Sequence, residues 1–183
     1  MSSKSFLYRQ TPNLITSARI LMVPLVLWLM MAGWDSTVDR LLALILLILA
    51  ASTDGIDGAI ARKRNLITNL GKILDPIADK ALLSGALIVL SIQDAVPWWA
   101  TLLILIREFG ITVFRLVVAK KRVIAASGGG KLKTVIQIIG VCMAIAPFDQ
   151  FLGSWWLMVT DLVIYLAVAL TLWTGFAYLR PVK

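Results

Sequence analysis

Histidine is absent from this chain of 183 residues. Any proton transfer near neutral pH must therefore fall to a carboxylate, a lysine, water or the substrate itself. Cysteine occurs once, at Cys142 inside an apolar run, which excludes an intramolecular disulfide framework and a thiolate metal cluster. Acidic residues are scarce, ten against 18 lysines and arginines, for a net charge of +8. Extended polar stretches are scarce as well. With 60% hydrophobic residues and a mean hydropathy of +0.89, an ordinary soluble domain is excluded. Internal repeats, low-complexity tracts and a boundary for a second domain are also missing, so residues 1–183 read as one membrane domain. No cleavable leader is expected, because the first apolar run is span-length and lacks a small-residue cleavage site.

What is present is a series of oily segments. A membrane span needs about 20 mainly apolar residues. Six segments qualify, approximately 14–33, 38–61, 72–92, 96–118, 132–150 and 154–178. The fold class expected is all-α, a polytopic membrane protein of six transmembrane helices. Lys4, Arg9 and Arg19 precede or open the first span, and Arg62, Lys63, Arg64 and Lys72 surround the second break. Arg115, Lys120, Lys121, Arg122, Lys131 and Lys133 cluster around the fourth, and Arg180 and Lys183 end the sequence. The alternate breaks hold Asp35, Asp39, Asp94 and Asp149, with Arg40 their one cation. This positive-inside pattern with an even span count predicts cytoplasmic termini. Trp34, Trp98, Trp99, Trp155 and Trp156 flank the acidic breaks, as an outer aromatic belt would. Orientation and attraction to anionic lipid headgroups account for most of the positive charge. Nucleic acid is not an expected partner, since no soluble domain exists to dock a duplex.

Against that background, four aspartates stand out. They lie in Asp54-Gly-Ile-Asp57-Gly58-Ala-Ile-Ala61-Arg62 and Gly71-Lys-Ile-Leu-Asp75-Pro-Ile-Ala-Asp79. Ionised groups this near apolar spans cost several kcal/mol each unless compensated. Asp54 and Asp57 are one helical turn apart, and Asp75 and Asp79 repeat the spacing on the next span. At 1.5 Å per residue, Asp54 lies roughly 12 Å from Arg62 along the axis, within reach of a cytoplasmic cavity. A short break makes the two spans antiparallel neighbours whose acidic stripes face each other, with small residues leaving room for a ligand. Pro76 is expected in a first-turn position, where its missing N–H costs little. Four converging carboxylates suit a hard divalent cation such as Mg²⁺ or Mn²⁺, and metal beside an arginine suits phosphate chemistry. Two other readings of the same residues are salt bridges to Arg62, Lys72 and Lys80, and a proton or cation conduit.

The pattern D-x-x-D-G-x-x-A-R, eight residues, G, three residues, D, three residues, D resembles the signature of the CDP-alcohol phosphotransferases. Every fixed position is matched, by Asp54, Asp57, Gly58, Ala61, Arg62, Gly71, Asp75 and Asp79. The resemblance extends to length and span number, and so covers essentially the whole chain. It implies a membrane enzyme that displaces CMP from a CDP-linked lipid or alcohol, with divalent metal on Asp54, Asp57, Asp75 and Asp79 and the active site on the cytoplasmic side. It implies Asp79 as the catalytic base, in keeping with the missing histidine. Asp54, Gly58, Ala61, Arg62 and Gly71 are then expected at the CDP moiety. Asn13 and Thr16 resemble a segment that precedes the first span in this family and are expected there too, although Asn13 equally fits a helix cap. A homodimer is a further implication of the resemblance.

A second, basic constellation bears on the acceptor. Arg107-Glu108 sits within the fourth span and Arg115 follows two turns later. Next comes Ser127-Gly128-Gly129-Gly130-Lys131-Leu-Lys133-Thr134, read as a glycine-rich loop entering a helix. Backbone N–H groups at such a helix start favour phosphate. A buried ion pair for Arg107 and Glu108, and interfacial snorkelling for the lysines, are the bland alternatives. These segments are similar to those of the bacterial phosphatidylglycerophosphate synthase branch of the family. That similarity implies CDP-diacylglycerol as donor, sn-glycerol 3-phosphate as acceptor bound by Arg107, Arg115, Lys131, Lys133 and Thr134, and a bacterial inner (plasma) membrane location among lipid. Sibling enzymes use inositol phosphate, serine or phosphatidylglycerol instead. A small ion transporter and a non-catalytic scaffold are the competing classes.

Overall fold

The structure, a computed structural model, describes residues 21–64, 69–118 and 128–179, with side chains over 21–52, 80–114 and 132–176. All described elements are helical, and no strand occurs among the described residues. In chain order they are α1 (Leu21–Ala32), α2 (Thr37–Arg64), α3 (Asn69–Ile92), α4 (Trp98–Val118), α5 (Gly128–Ile145), α6 (Asp149–Leu152) and α7 (Ser154–Leu179). Among them, Ser154–Phe176 is long and apolar enough to cross a bilayer, and Leu21–Ala32, Lys80–Ile92 and Leu132–Ile145 are shorter apolar helices. The chain divides into two compact units, Met1–Val89 and Leu90–Lys183.

In the first unit each helix buries a stripe at helical spacing. Val26 and Met30 are buried on α1, Ala43, Leu47 and Ala50 on α2, and Leu82, Ala86 and Val89 on α3. Gly85 of α3 lets Leu27 of α1 come close, since a Cβ there would sit 2.7 Å from Leu27 Cδ1. Helix α2 opens with a side-chain cap: the Ser36 hydroxyl accepts the Asp39 backbone N–H at 3.3 Å. Gly33 makes that turn possible, because a Cβ would meet Asp39 Cβ at 2.3 Å. Arg40 is buried with its guanidinium 4.6 Å from the Trp34 ring centroid, a cation–π contact.

In the second unit α7 packs against both α4 and α5. Contacts between α4 and α7 ascend together, Trp99 stacking on Tyr165 at 5.4 Å and Arg107 reaching Thr174, so these helices run parallel. Contacts between α5 and α7 run in opposite senses, from Gln137–Thr171 to the Trp156 indole donating to the Met143 carbonyl, so this pair is antiparallel. One end of the three-helix unit is therefore aromatic and the other polar. The end of α3 is closed by a left-handed residue, Asp94 (φ 57°): Ala95 N–H bonds Leu90 C=O at 2.9 Å and Asp94 N–H bonds Ser91 C=O at 3.3 Å.

Several sequence-derived boundaries move. The fifth span, expected over 132–150, stops at Ile145, because Pro147 lacks an N–H and disfavours helix in the residue before it. A single helical turn, α6, follows before α7. Helix α5 starts at Gly128, so Gly128–Gly130 form its first turn rather than a loop. Helix α3 begins at Asn69, which brings Gly71 into its first turn and corrects the position of Pro76. Pro76 is the eighth residue of the helix, not a first-turn residue, and the Lys72 carbonyl has no N–H at 76 to receive.

Candidate active site

The acidic motif falls on two consecutive helices joined by the four residues 65–68. Asp54, Asp57, Gly58, Ala61 and Arg62 lie in the C-terminal half of α2, and Gly71, Asp75 and Asp79 in the first three turns of α3. Helical register sets Asp54 and Asp57 on one stripe of α2, and Asp75 and Asp79 on one stripe of α3. Their side chains fall outside the residues described with side chains, and Asn13 and Thr16 lie outside the described residues altogether. Among the residues described with side chains no group of three or more His, Cys, Asp or Glu that could hold a metal ion occurs. The donor set of the motif, four carboxylates with neither sulfur nor imidazole, fits Mg²⁺ or Mn²⁺ and disfavours softer metals.

Arg107 and Glu108 of α4 and Lys133 of α5 meet at a single carboxylate oxygen. Arg107 Nη1 donates to Glu108 Oε1 at 2.9 Å, and Lys133 Nζ donates to the same oxygen. Lys133 is 4% exposed, so its ammonium is an interior group. It is held by the pairing that buried charge requires. Snorkelling to an interface does not describe Lys133. Arg107 Nη2 donates to Thr174 Oγ1 of α7 at 2.9 Å, and Gln137 Nε2 of α5 donates to Thr171 Oγ1 at 3.0 Å. Arg107 Nε is buried and has no hydrogen-bond partner among the described residues. Arg115 lies two turns beyond Arg107 on α4, Lys131 in the first turn of α5, and Thr134 beside Lys133.

Two participants were not singled out from the sequence: Thr171 and Thr174. Their signal was present in α7, a largely apolar helix that also carries Asp161, where Thr160, Thr171 and Thr174 are all buried. Threonine is easily overlooked there, because its hydroxyl can bond its own helix, as Thr160 does to the Trp156 carbonyl.

A family model described as CDP-alcohol phosphatidyltransferase matches residues 9–173. That match takes in both acidic helices together with Arg107, Glu108, Lys133, Gln137 and Thr171, and ends one residue before Thr174. This chain belongs to the CDP-alcohol phosphatidyltransferase family. Curated relatives are similar along nearly its whole length. The CDP-diacylglycerol–glycerol-3-phosphate 3-phosphatidyltransferase of Bacillus subtilis (strain 168) is 41% identical, covering 91% of this chain and 92% of the relative. A Mycobacterium tuberculosis (strain ATCC 25618 / H37Rv) protein named "Probable phosphatidylglycerophosphate synthase" is 40% identical over 91% of this chain and 78% of its own. The Rickettsia typhi (strain ATCC VR-144 / Wilmington) CDP-diacylglycerol–glycerol-3-phosphate 3-phosphatidyltransferase is 36% identical over 96% and 98%. As a member of this family, the chain is a membrane-associated enzyme.

Proposed function

We propose that this family member transfers the phosphatidyl group of CDP-diacylglycerol to sn-glycerol 3-phosphate, giving phosphatidylglycerophosphate and CMP. The observation that carries the reading is near-full-length identity of 36–41% to relatives bearing that activity in their names. The chain's possession of both an acidic motif, on α2 and α3, and a buried cationic network, on α4 and α5, supports it chemically. An anionic acceptor needs cations, and a pyrophosphate donor needs a site that tolerates its charge.

In this reading Asp54, Asp57, Asp75 and Asp79 hold Mg²⁺ or Mn²⁺. When bound, such an ion neutralises phosphate charge and eases departure of CMP. Asn13, Thr16, Asp54, Gly58, Ala61, Arg62 and Gly71 receive the CDP moiety, small residues giving space and Arg62 pairing with phosphate. Arg107, Arg115, Lys131, Lys133 and Thr134 receive the acceptor phosphate. The acceptor hydroxyl oxygen attacks the lipid-side phosphorus while the bond to the CMP oxygen breaks, and Asp79 takes the hydroxyl proton. The same reading makes the chain a homodimer of six-span protomers in a bacterial inner membrane, with cytoplasmic termini and active site.

The test is CMP release by purified protein in vesicles containing CDP-diacylglycerol, with single acceptors added. Turnover is expected with sn-glycerol 3-phosphate and not with serine, inositol phosphate or phosphatidylglycerol. It is expected to stop in EDTA and return with Mg²⁺ or Mn²⁺. Preference for another acceptor overturns the acceptor assignment, and full turnover in EDTA overturns the metal.

A further inference from the structure

Helix α7 carries none of the acidic motif and none of the basic residues assigned to the acceptor, yet the cationic network is seated on it. Thr174 Oγ1 directs its proton to its own helix, toward the Leu170 carbonyl at 2.8 Å and the Thr171 carbonyl at 3.1 Å. That leaves the oxygen free to accept Arg107 Nη2. Gly175 supplies the space: a Cβ there would lie 3.2 Å from Arg107 Cγ and 3.5 Å from Nε. The arginine stem therefore rests against α7. Its Nε is enclosed, and each terminal nitrogen retains one N–H beyond those given to Glu108 and Thr174. One turn before Thr174, Thr171 accepts Gln137, which sits one turn after Lys133 on α5. The stripe thus anchors Arg107 directly and the Lys133-bearing helix through Gln137.

We propose that the Thr171–Thr174–Gly175 stripe of α7 is a positioning surface for the acceptor-phosphate site, with Thr174 as its principal positioning residue. The proposal rests on the acceptor reading above and deepens it. A guanidinium already fixed on α7 loses less freedom when a phosphate arrives, so the stripe acts on acceptor affinity rather than on donor binding.

The experiment compares wild type, T174V, T174S and G175A as full-length protein in CDP-diacylglycerol vesicles, determining KM for both substrates and kcat. T174V, which keeps the shape and removes the acceptor oxygen, is expected to raise KM for glycerol 3-phosphate about tenfold, the size of one charge-assisted hydrogen bond. Donor KM and kcat should stay within about twofold. T174S should restore the acceptor KM, and G175A should raise it about threefold by crowding the arginine. An unchanged acceptor KM in T174V, an equal rise in both KM values, or no rescue by T174S overturns the proposal. If T174V does not accumulate, G175A, which retains every hydrogen-bonding group, decides by the same comparison. Wild type that ignores glycerol 3-phosphate but uses another acceptor refutes the acceptor reading separately, and the variants are then compared with that acceptor.

Discussion

On α2 and α3 four acids of like charge are set at one-turn spacings, whereas on α4 and α5 two cations share one carboxylate that the protein itself provides. Like charges a turn apart repel, and in the proposed reading a bound divalent cation offsets that repulsion. Opposite charges already in contact, with hydroxyls and an amide around them, are stable without a ligand and arrive oriented. In the proposed reading the first arrangement recruits a metal ion and the second receives the acceptor, one half each of a group transfer between two anions.

The most damaging way to test the contrast is to remove one acid. Asp57→Asn or Asp75→Asn is expected to lower CMP release about a thousandfold, roughly 4 kcal/mol of barrier, while membrane insertion persists. CMP assay and membrane fractionation together check this. Undiminished turnover would erase the distinction between recruiting and receiving. The next largest effect belongs to Glu108. Glu108→Ala leaves Arg107 and Lys133 without their shared carboxylate, a loss of about 3–5 kcal/mol for a buried pair. Thermal unfolding in detergent should show a larger drop for Glu108→Ala than for Lys133→Met, which removes charge and ammonium together. The smallest effect sharpens the comparison by leaving both charged regions intact. Gly140→Ala places a Cβ 2.8 Å from Ile164 Cδ1, where α5 meets α7 through apolar groups. It should cost about 1–3 kcal/mol of stability and leave acceptor KM within about twofold of wild type.

The acidic motif was legible because its residues lie in one stretch and its spacing is helical, so periodicity alone sets each pair on a stripe. Helix positions were legible for the same reason, hydropathy marking every long element. The boundaries were less so. Pro147 ended α5 sooner than its apolar run suggested, and three glycines joined that helix despite their low propensity. The cationic network was half legible. Arg107, Glu108 and Lys133 could be picked out as charges in apolar surroundings, but which of them touch depends on packing. Thr171 and Thr174 were hidden because they lie far along the chain from Arg107, and nothing local couples them.

The Thr174 hydroxyl has one hydrogen, and its own helix already claims it. Toward α4 it therefore has only lone pairs to offer, which makes the junction directional. A base must stand at 107 and an acid at 108. Transposing the two would preserve the net charge yet oblige the Thr174 hydroxyl to turn away from its own helix to meet a carboxylate. Charge-swap engineering at this ion pair therefore costs α7 a hydrogen bond unless position 174 is rebuilt with it.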